Sequence, residues 1–329
     1  MLRVLCTALN VESGPHFQLL NDAGFDCQVV DRKLNLSDPA VLTREIQGCQ
    51  GILAGSEPYP PAVLAASPEL RVLSRYGVGF DAINLAACDE HRIVVATTPG
   101  CNHHSVAEHA IAMLMAIARG FPASDQEVRR NVWTRTARPR VMGSTLGLVG
   151  LGRIGQAAAT RALGLGMTVV AYDPQPPVDF LKQHSIRQVS LEELLGVSDY
   201  VSLHLPVLPT TRHVINAKSI ALMKDGAVVI NTSRGPLVDE PALIQALQSG
   251  KLSAAGLDVF EVEPLPSTSP LLQMNNVLLS GHVAGLDNES HEATCVMAAD
   301  NIIALHQGRW PADRIQNLKG VTDWKWSRG

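Results

Sequence analysis

The sequence predicts an α/β protein built on doubly wound parallel sheets, and three observations point there. Two stretches alternate short runs rich in Val, Ile and Leu with polar, helix-like segments, which is how strands covered by helices on both faces read. The second stretch holds six such runs, enough for a nucleotide-binding sheet. Within it, Gly150, Gly152 and Gly155 stand between an apolar run and a helical one.

The elements follow in chain order. Arg3–Cys6, Cys27–Val30, Ile52–Ala54, Val72–Ser74 and Ile93–Val95 are the first strand candidates. Thr98-Pro99-Gly100 breaks that series. Ser105 and Glu108 have capping-box spacing and open a long apolar helix through Ala118. Phe121–Arg140 is polar, with five Arg and Trp133, and reads as an exposed arm or crossover. The second series runs through Leu146–Val149, Thr168–Ala171, Tyr200–His204, Ala227–Asn231, Gly256–Val259 and Val277–Leu279. From about Ser290 the chain reads as helix to His306, and its end is irregular. Neither a solenoid repeat nor a low-complexity tract is present.

Composition bounds the function. The 329 residues suffice for two domains, and 46% hydrophobic with 18% charged residues is ordinary globular usage. A net charge of −4 asks for neither nucleic acid nor a membrane surface. The six cysteines form no C-x-x-C pair and no zinc spacing with histidine, so reduced thiols and no metal are expected. The start MLRVLCTALN does not read as a secretory signal, and the longest apolar run, Ala110–Ala118, is about half a bilayer span. The expectation is a soluble, cytoplasmic protein.

The glycine triplet carries the strongest local signal. G-x-G-x-x-G after a strand and at the start of a helix is the context a dinucleotide requires. Gly150 permits the tight turn, Gly152 lets the backbone approach a pyrophosphate, and Gly155 lets the helix pack closely. The helix N-terminus then offers free N–H groups to the phosphates. Asp173, at the end of the next strand, can accept from ribose hydroxyls and repels a 2′-phosphate, which favours NAD over NADP.

Three polar residues follow strands of the second series: Arg234, Glu263 and His282. Carboxyl ends of parallel strands are where such folds place ligands. Reducing a 2-keto acid requires a clamp for its carboxylate and a proton donor for the new alkoxide. Arginine has the planar fork for a carboxylate. Histidine exchanges protons near neutrality. A carboxylate beside an imidazole fixes its tautomer and favours the protonated ring.

These residues resemble the D-isomer-specific 2-hydroxyacid dehydrogenase family, phosphoglycerate dehydrogenases among them. The resemblance spans nearly the whole chain, through SRYGVGFDAI, SVAEH, GLVGLGRIG, HLPVLPTTRHVIN, INTSRGPLVDE, AAGLDVFEVEP and GHVAG. It implies two flavodoxin- or Rossmann-like domains around a cleft. Residues 1–101 with 290–329 would form the substrate domain, and 102–289 the NAD domain with a dimerisation arm near 119–142. By this likeness Arg234 holds the substrate carboxylate and C2 oxygen, His282 is the acid/base and Glu263 its partner. Val78 and Gly79, in the loop after Arg75, would bind the carboxylate through backbone amides. Arg153 and Ile154 would meet the pyrophosphate, Pro206 the adenine, Thr211 the phosphates and Asp258 the nicotinamide carboxamide. Thr232 would line the cofactor site, and His204, Ser233, Ala284 and Gly285 complete the set with Arg234 and His282. Two departures flank the acid/base, because many members have Pro at the position of Gly281 and Thr at that of Asp287.

The expected substrate is a small 2-hydroxy or 2-keto acid, with the group beyond C2 left open. Ser56, Glu57, Ser74 and Arg75 fall at predicted strand ends of the first series. Arg75 reads equally as a reader of a phosphate or phosphonate tail and as a structural ion-pair partner. A non-catalytic NAD-sensing corepressor and a phosphite dehydrogenase are the alternatives on the same scaffold. Glutamate at 263 fits formate oxidation poorly, since that branch resembles a glutamine there.

Overall fold

The computed structural model describes residues 2–8 and 13–327, and the chain divides into two compact units. The first is Met1–Asn102 with Asp287–Gly329, and the second is His103–Leu286.

The first unit holds five strands: β1 (Leu2–Cys6), β2 (Phe25–Val29), β3 (Gly51–Ala54), β4 (Val72–Arg75) and β5 (Val94–Ala96). All pair in parallel in the order β2-β1-β3-β4-β5. This is the flavodoxin-type order, which reverses direction between β1 and β3. One face packs Val4, Cys6 and Val72 against Leu20, Ala298 and Ile302. The other packs Leu5, Ile52 and Leu73 against Leu42, Ile46 and Leu64. With both faces dry, strand residues are apolar throughout, and that continuity makes these strands readable in the sequence.

The second unit holds β6 (Thr145–Val149), β7 (Thr168–Tyr172), β8 (Arg187–Gln188), β9 (Tyr200–Leu203), β10 (Ala227–Asn231), β11 (Leu252–Leu257) and β12 (Val277–Leu279). Their order is β12-β11-β10-β9-β6-β7-β8, again parallel. That is the Rossmann order with one extra edge strand, and it reverses between β6 and β9. Helices His103–Arg119 and Arg153–Gly164 cover one face through Ala110, Leu114, Ala158 and Ala162. Leu194, Ile220, Leu243 and Leu247 cover the other.

Three expectations change. β8 was not predicted, because its two residues are exposed and polar and carry no apolar run. β11 runs Leu252–Leu257 rather than Gly256–Val259. Its first half is Leu-Ser-Ala-Ala with Ser253 exposed, a weak strand signal, and Asp258 and Val259 lie beyond its end. Ser105 is no helix cap, since the helix starts at His103. Ser105 is buried inside the first turn, and its hydroxyl donates to the Ala284 carbonyl at 2.8 Å.

Residues 121–140 have no buried member. They begin as a helix, Phe121–Arg129, and Trp133 is 77% exposed. Among the described residues no helix is long and apolar enough to cross a membrane. The six cysteines are free, and burial pushes the Cys6 thiol up to about 11 and that of Cys295 up to about 12.

Candidate active site

The glycine turn leaves β6 where the strand order reverses. Gly150 takes φ +103°, and a Cβ there would stand 2.7 Å from the His204 carbonyl oxygen. A Cβ on Gly155 would collide with the Gly150 carbonyl oxygen, so helix and turn touch backbone to backbone. Gly152 differs: a Cβ there would meet open space. It begins the helix Arg153–Gly164 without any side-chain cap, so the first-turn amides face outward. Arg153 is exposed beside it and Ile154 half-buried. Asp173 braces the turn, accepting from the Leu151 amide at 2.6 Å and the Gln175 amide at 2.8 Å.

The residues around this turn fit a dinucleotide. Among the described residues, the buried Thr232 hydroxyl oxygen and His204 Nδ1 have no hydrogen-bond partner. Buried polar atoms are normally satisfied, so orphans beside a glycine turn suit a ligand. His204 Nε2 lies 2.9 Å from the Ser202 hydroxyl, and burial pushes the imidazole down to about 4, leaving it neutral near pH 7. The Thr211 hydroxyl donates to the Pro206 carbonyl at 2.7 Å, and the Ser233 hydroxyl to the Leu205 carbonyl at 2.6 Å. These two bonds shape the segment after β9. Gly285 is half-buried and Ala284 buried.

Arg234, Glu263 and His282 follow three neighbouring strands, β10, β11 and β12. Buried Asn231 holds the first turn by accepting from the Ser233 amide and donating to the Arg234 carbonyl at 2.9 Å. The Arg234 Nη1 donates to the Ser233 carbonyl at 2.7 Å. Glu263 accepts from the Phe260 amide at 3.0 Å, and its other oxygen lies 2.7 Å from His282 Nδ1. Burial raises the cost of the Glu263 charge. The His282 bond and charge, the Phe260 amide and the Arg234 cation outweigh it, so the carboxyl sits below the usual range. His282 itself adopts φ +56°, a left-handed conformation uncommon for a side-chain-bearing residue. Gly281, just before it, has open space where a Cβ would stand, so the missing proline leaves no clash behind. Asp287 caps the helix Asn288–His306, accepting from the Ser290 amide at 2.6 Å.

Asp258 is more tightly held than the resemblance suggests. It is fully buried, and its carboxylate accepts from the Ser280 hydroxyl, the Val283 amide and the Ala284 amide.

In the first unit, Val78 is 42% exposed. Among the described residues the Val78 and Gly79 amides donate to no protein group. Arg75 donates through Nη1 to the Ala54 carbonyl at 3.2 Å and the Tyr76 carbonyl at 2.5 Å. Glu57 is buried and accepts from Thr7, the Gly55 amide and the Tyr59 hydroxyl. Ser74 is buried and donates to the Ala298 carbonyl.

Sequence reasoning passed over several residues that shape the site. A Cβ on Gly235 would collide with the Phe260 carbonyl and stand 2.5 Å from the Glu261 nitrogen, so Gly235 seats the Arg234 turn against the Glu263 loop. Its place in SRGP next to Arg234 was the available signal. A second histidine–carboxylate pair joins Glu261 of that loop to His213 Nε2, at 2.5 Å. His109 and Ser280 also join the site's framework. Among the described residues no cluster of ligand side chains suits a metal ion.

Comparison with known proteins agrees with this geometry. Residues 111–284 match the family model described as D-isomer specific 2-hydroxyacid dehydrogenase, NAD binding domain. A glyoxylate reductase of Korarchaeum cryptofilum is 39% identical over 84% of this chain and 85% of its own length. A D-3-phosphoglycerate dehydrogenase of Mycobacterium bovis is 38% identical over 79% of the chain, and the matched part is 50% of that longer protein. The crystal structure of D-lactate dehydrogenase from Aquifex aeolicus, complexed with NAD and lactic acid, superposes with a TM-score of 0.83. It is 30% identical and covers 95% of this chain and 98% of that one. The cofactor of this chain is NAD, and its reaction is oxidoreduction of a 2-hydroxy acid. The two parallel sheets, the glycine turn and the shared sequence together place this chain in the D-isomer-specific 2-hydroxyacid dehydrogenase family.

Proposed function

We propose that this enzyme reduces small 2-keto acids without a charged tail, of the glyoxylate and hydroxypyruvate kind, with Arg234, Glu263 and His282 as its chemical groups. The observation that carries this reading is the 2.7 Å bond between His282 Nδ1 and Glu263, set beside a cation on the neighbouring strand end. Bound NADH supplies the hydride that reduces C2. The Arg234 guanidinium grips the substrate carboxylate and orients C2. Glu263 engages Nδ1, so Nε2 is the atom that hands a proton to the forming alkoxide. The ring then recovers a proton from water.

Two features support a small uncharged tail. Relatives are named for glyoxylate and hydroxypyruvate reduction. Arg75 is already bonded to two backbone carbonyls. The test is NADH oxidation with glyoxylate, hydroxypyruvate and phosphohydroxypyruvate at matched concentrations. The two uncharged-tail acids turn over best, and a kcat/KM preference for the phosphorylated acid overturns the assignment.

The 119–142 arm is the surface on which we place a homodimer contact, since Phe121, Trp133 and Met142 expose 63%, 77% and 57% of their surface. Sedimentation of Trp133→Glu as a monomer, against a parent dimer, supports this, and a monomeric parent refutes it.

A further inference from the structure

The loop that carries His282 is fastened from one side by a single buried carboxylate. Asp258 has no solvent exposure. One oxygen accepts from the Ser280 hydroxyl at 2.5 Å and the Val283 amide at 3.0 Å, and the other accepts from the Ala284 amide at 2.9 Å. The Asp258 carbonyl also accepts from the His282 amide at 2.7 Å. Four of the five residues from 280 to 284 thus bond to one residue. A buried carboxylate is tolerable only when donors surround it, so these bonds are strongly coupled to one another.

The fastening continues into the helix His103–Arg119. His109 Nε2 lies 2.9 Å from the Ser280 oxygen and 3.7 Å from the Asp258 carboxylate. The Ser280 hydrogen is directed to Asp258, so Nε2 must carry the proton that Ser280 accepts. From the same helix Ser105 donates to the Ala284 carbonyl at 2.8 Å. The helix therefore holds both ends of the loop whose middle residue sits at φ +56° and points Nδ1 at Glu263.

Resting on the acid/base reading of His282 given above, we propose that His109 is a positioning residue for the reaction, acting through Ser280. Its N–H orients the serine hydroxyl so that the serine hydrogen faces Asp258. Asp258 in turn fixes the backbone on both sides of His282. Without the hydroxyl, Asp258 keeps its two amides but loses the bond that pins the start of the loop, and without His109 that bond loses its orientation. The imidazole then meets Glu263 in a smaller share of molecules.

The test uses the full chain carrying His109→Phe, Ser280→Ala, Ser280→Thr or His282→Ala, with glyoxylate as the probe substrate. Three quantities are read: the NADH dissociation constant by nicotinamide fluorescence, kcat, and the acid limb of kcat/KM against pH. His109→Phe and Ser280→Ala lower kcat about tenfold, the effect of one such bond, with NADH affinity kept within about twofold. Their acid limb moves to higher pH, because Glu263 loses part of the His282 contact that holds its carboxyl low. Ser280→Thr, which keeps the hydroxyl, recovers kcat to within about twofold of the parent. Unchanged kcat and acid limb in Ser280→Ala, while His282→Ala is inactive, overturn the positioning role and leave the acid/base reading standing. Parent-like turnover by His282→Ala removes that reading, and the inference with it. Loss of NADH binding in parallel with kcat marks general damage and also overturns the inference. Should His109→Phe fail to fold, the Ser280→Ala and Ser280→Thr pair decides.

Discussion

Replacing Glu263 by Gln tests how much of the rate comes from the carboxylate paired with His282. The change is nearly isosteric, and the amide oxygen can still accept from Phe260, now at 3.0 Å, so the loop keeps its path. What disappears is the charged acceptor opposite Nδ1, 2.7 Å away, because the amide NH2 then faces the ring. A hydrogen bond to a charged group contributes about 1.5–3 kcal/mol. The pair is open to solvent, with side-chain exposures of 45% for His282 and 35% for Glu263, so screening places the effect at the lower end. At about 1.4 kcal/mol per tenfold in rate, kcat should fall about ten- to thirtyfold. NADH affinity, read by nicotinamide fluorescence, should stay put, because the change is remote from the glycine turn in sequence and charge. The pH profile adds a second reading. Glu263 titrates below its unfolded value of 4.5, so its contribution is complete above that value and is lost as pH falls through the lowered folded one. Glu263→Gln has no such group, and the corresponding acid limb should vanish. A variant with kcat within about twofold of the parent and an unchanged limb would refute the role assigned to the pair.

Other consequences are equally concrete. Gly152→Ala should fold normally, since its Cβ meets open space, yet bind NADH at least about tenfold more weakly, as calorimetry would read. Gly235→Ala should lose both activity and melting temperature, because its Cβ drives the Phe260 backbone away from the Arg234 turn. His16 is fully buried, both its ring nitrogens lack a partner among the described residues, and burial, with the nearby His291, pushes it from 6.5 down to about 4. The unfolded chain therefore takes up a proton at a pH where the folded one does not. Stability is full above pH 6.5 and falls as pH drops toward about 4, by up to about 3 kcal/mol from this residue. His16→Leu should flatten that slope in urea titrations run across the interval, and an unchanged slope would count against a neutral buried ring.

Much of this enzyme is readable in its sequence, for physical reasons that particular residues illustrate. Strands buried on both faces leave unbroken apolar runs, so the strands read as Val72–Ser74 and Ala227–Asn231 announced themselves. Gly150 and Gly155 were legible because no other residue fits their backbone contacts. Arg234, Glu263 and His282 were legible together because strand ends converge on one side of a parallel sheet. β8 was illegible, since two exposed polar residues pair through their backbone alone. Ser105 misled because its spacing to Glu108 imitates a cap, while its hydroxyl answers to Ala284, distant in sequence. His109 and Ser280 are 171 residues apart, and only the packing of the helix His103–Arg119 on the second sheet brings them together. The bonds from Arg75 to the Ala54 and Tyr76 carbonyls were illegible, because a carbonyl partner leaves no mark in a sequence.

The most direct test of the account is single-turnover reduction of glyoxylate by the His282→Ala enzyme preloaded with NADH. The account predicts normal NADH binding with the hydride step slowed by about two to four orders of magnitude, the usual worth of a positioned acid. A hydride step at the parent rate would contradict it, and the proton would then have to come from a group other than His282.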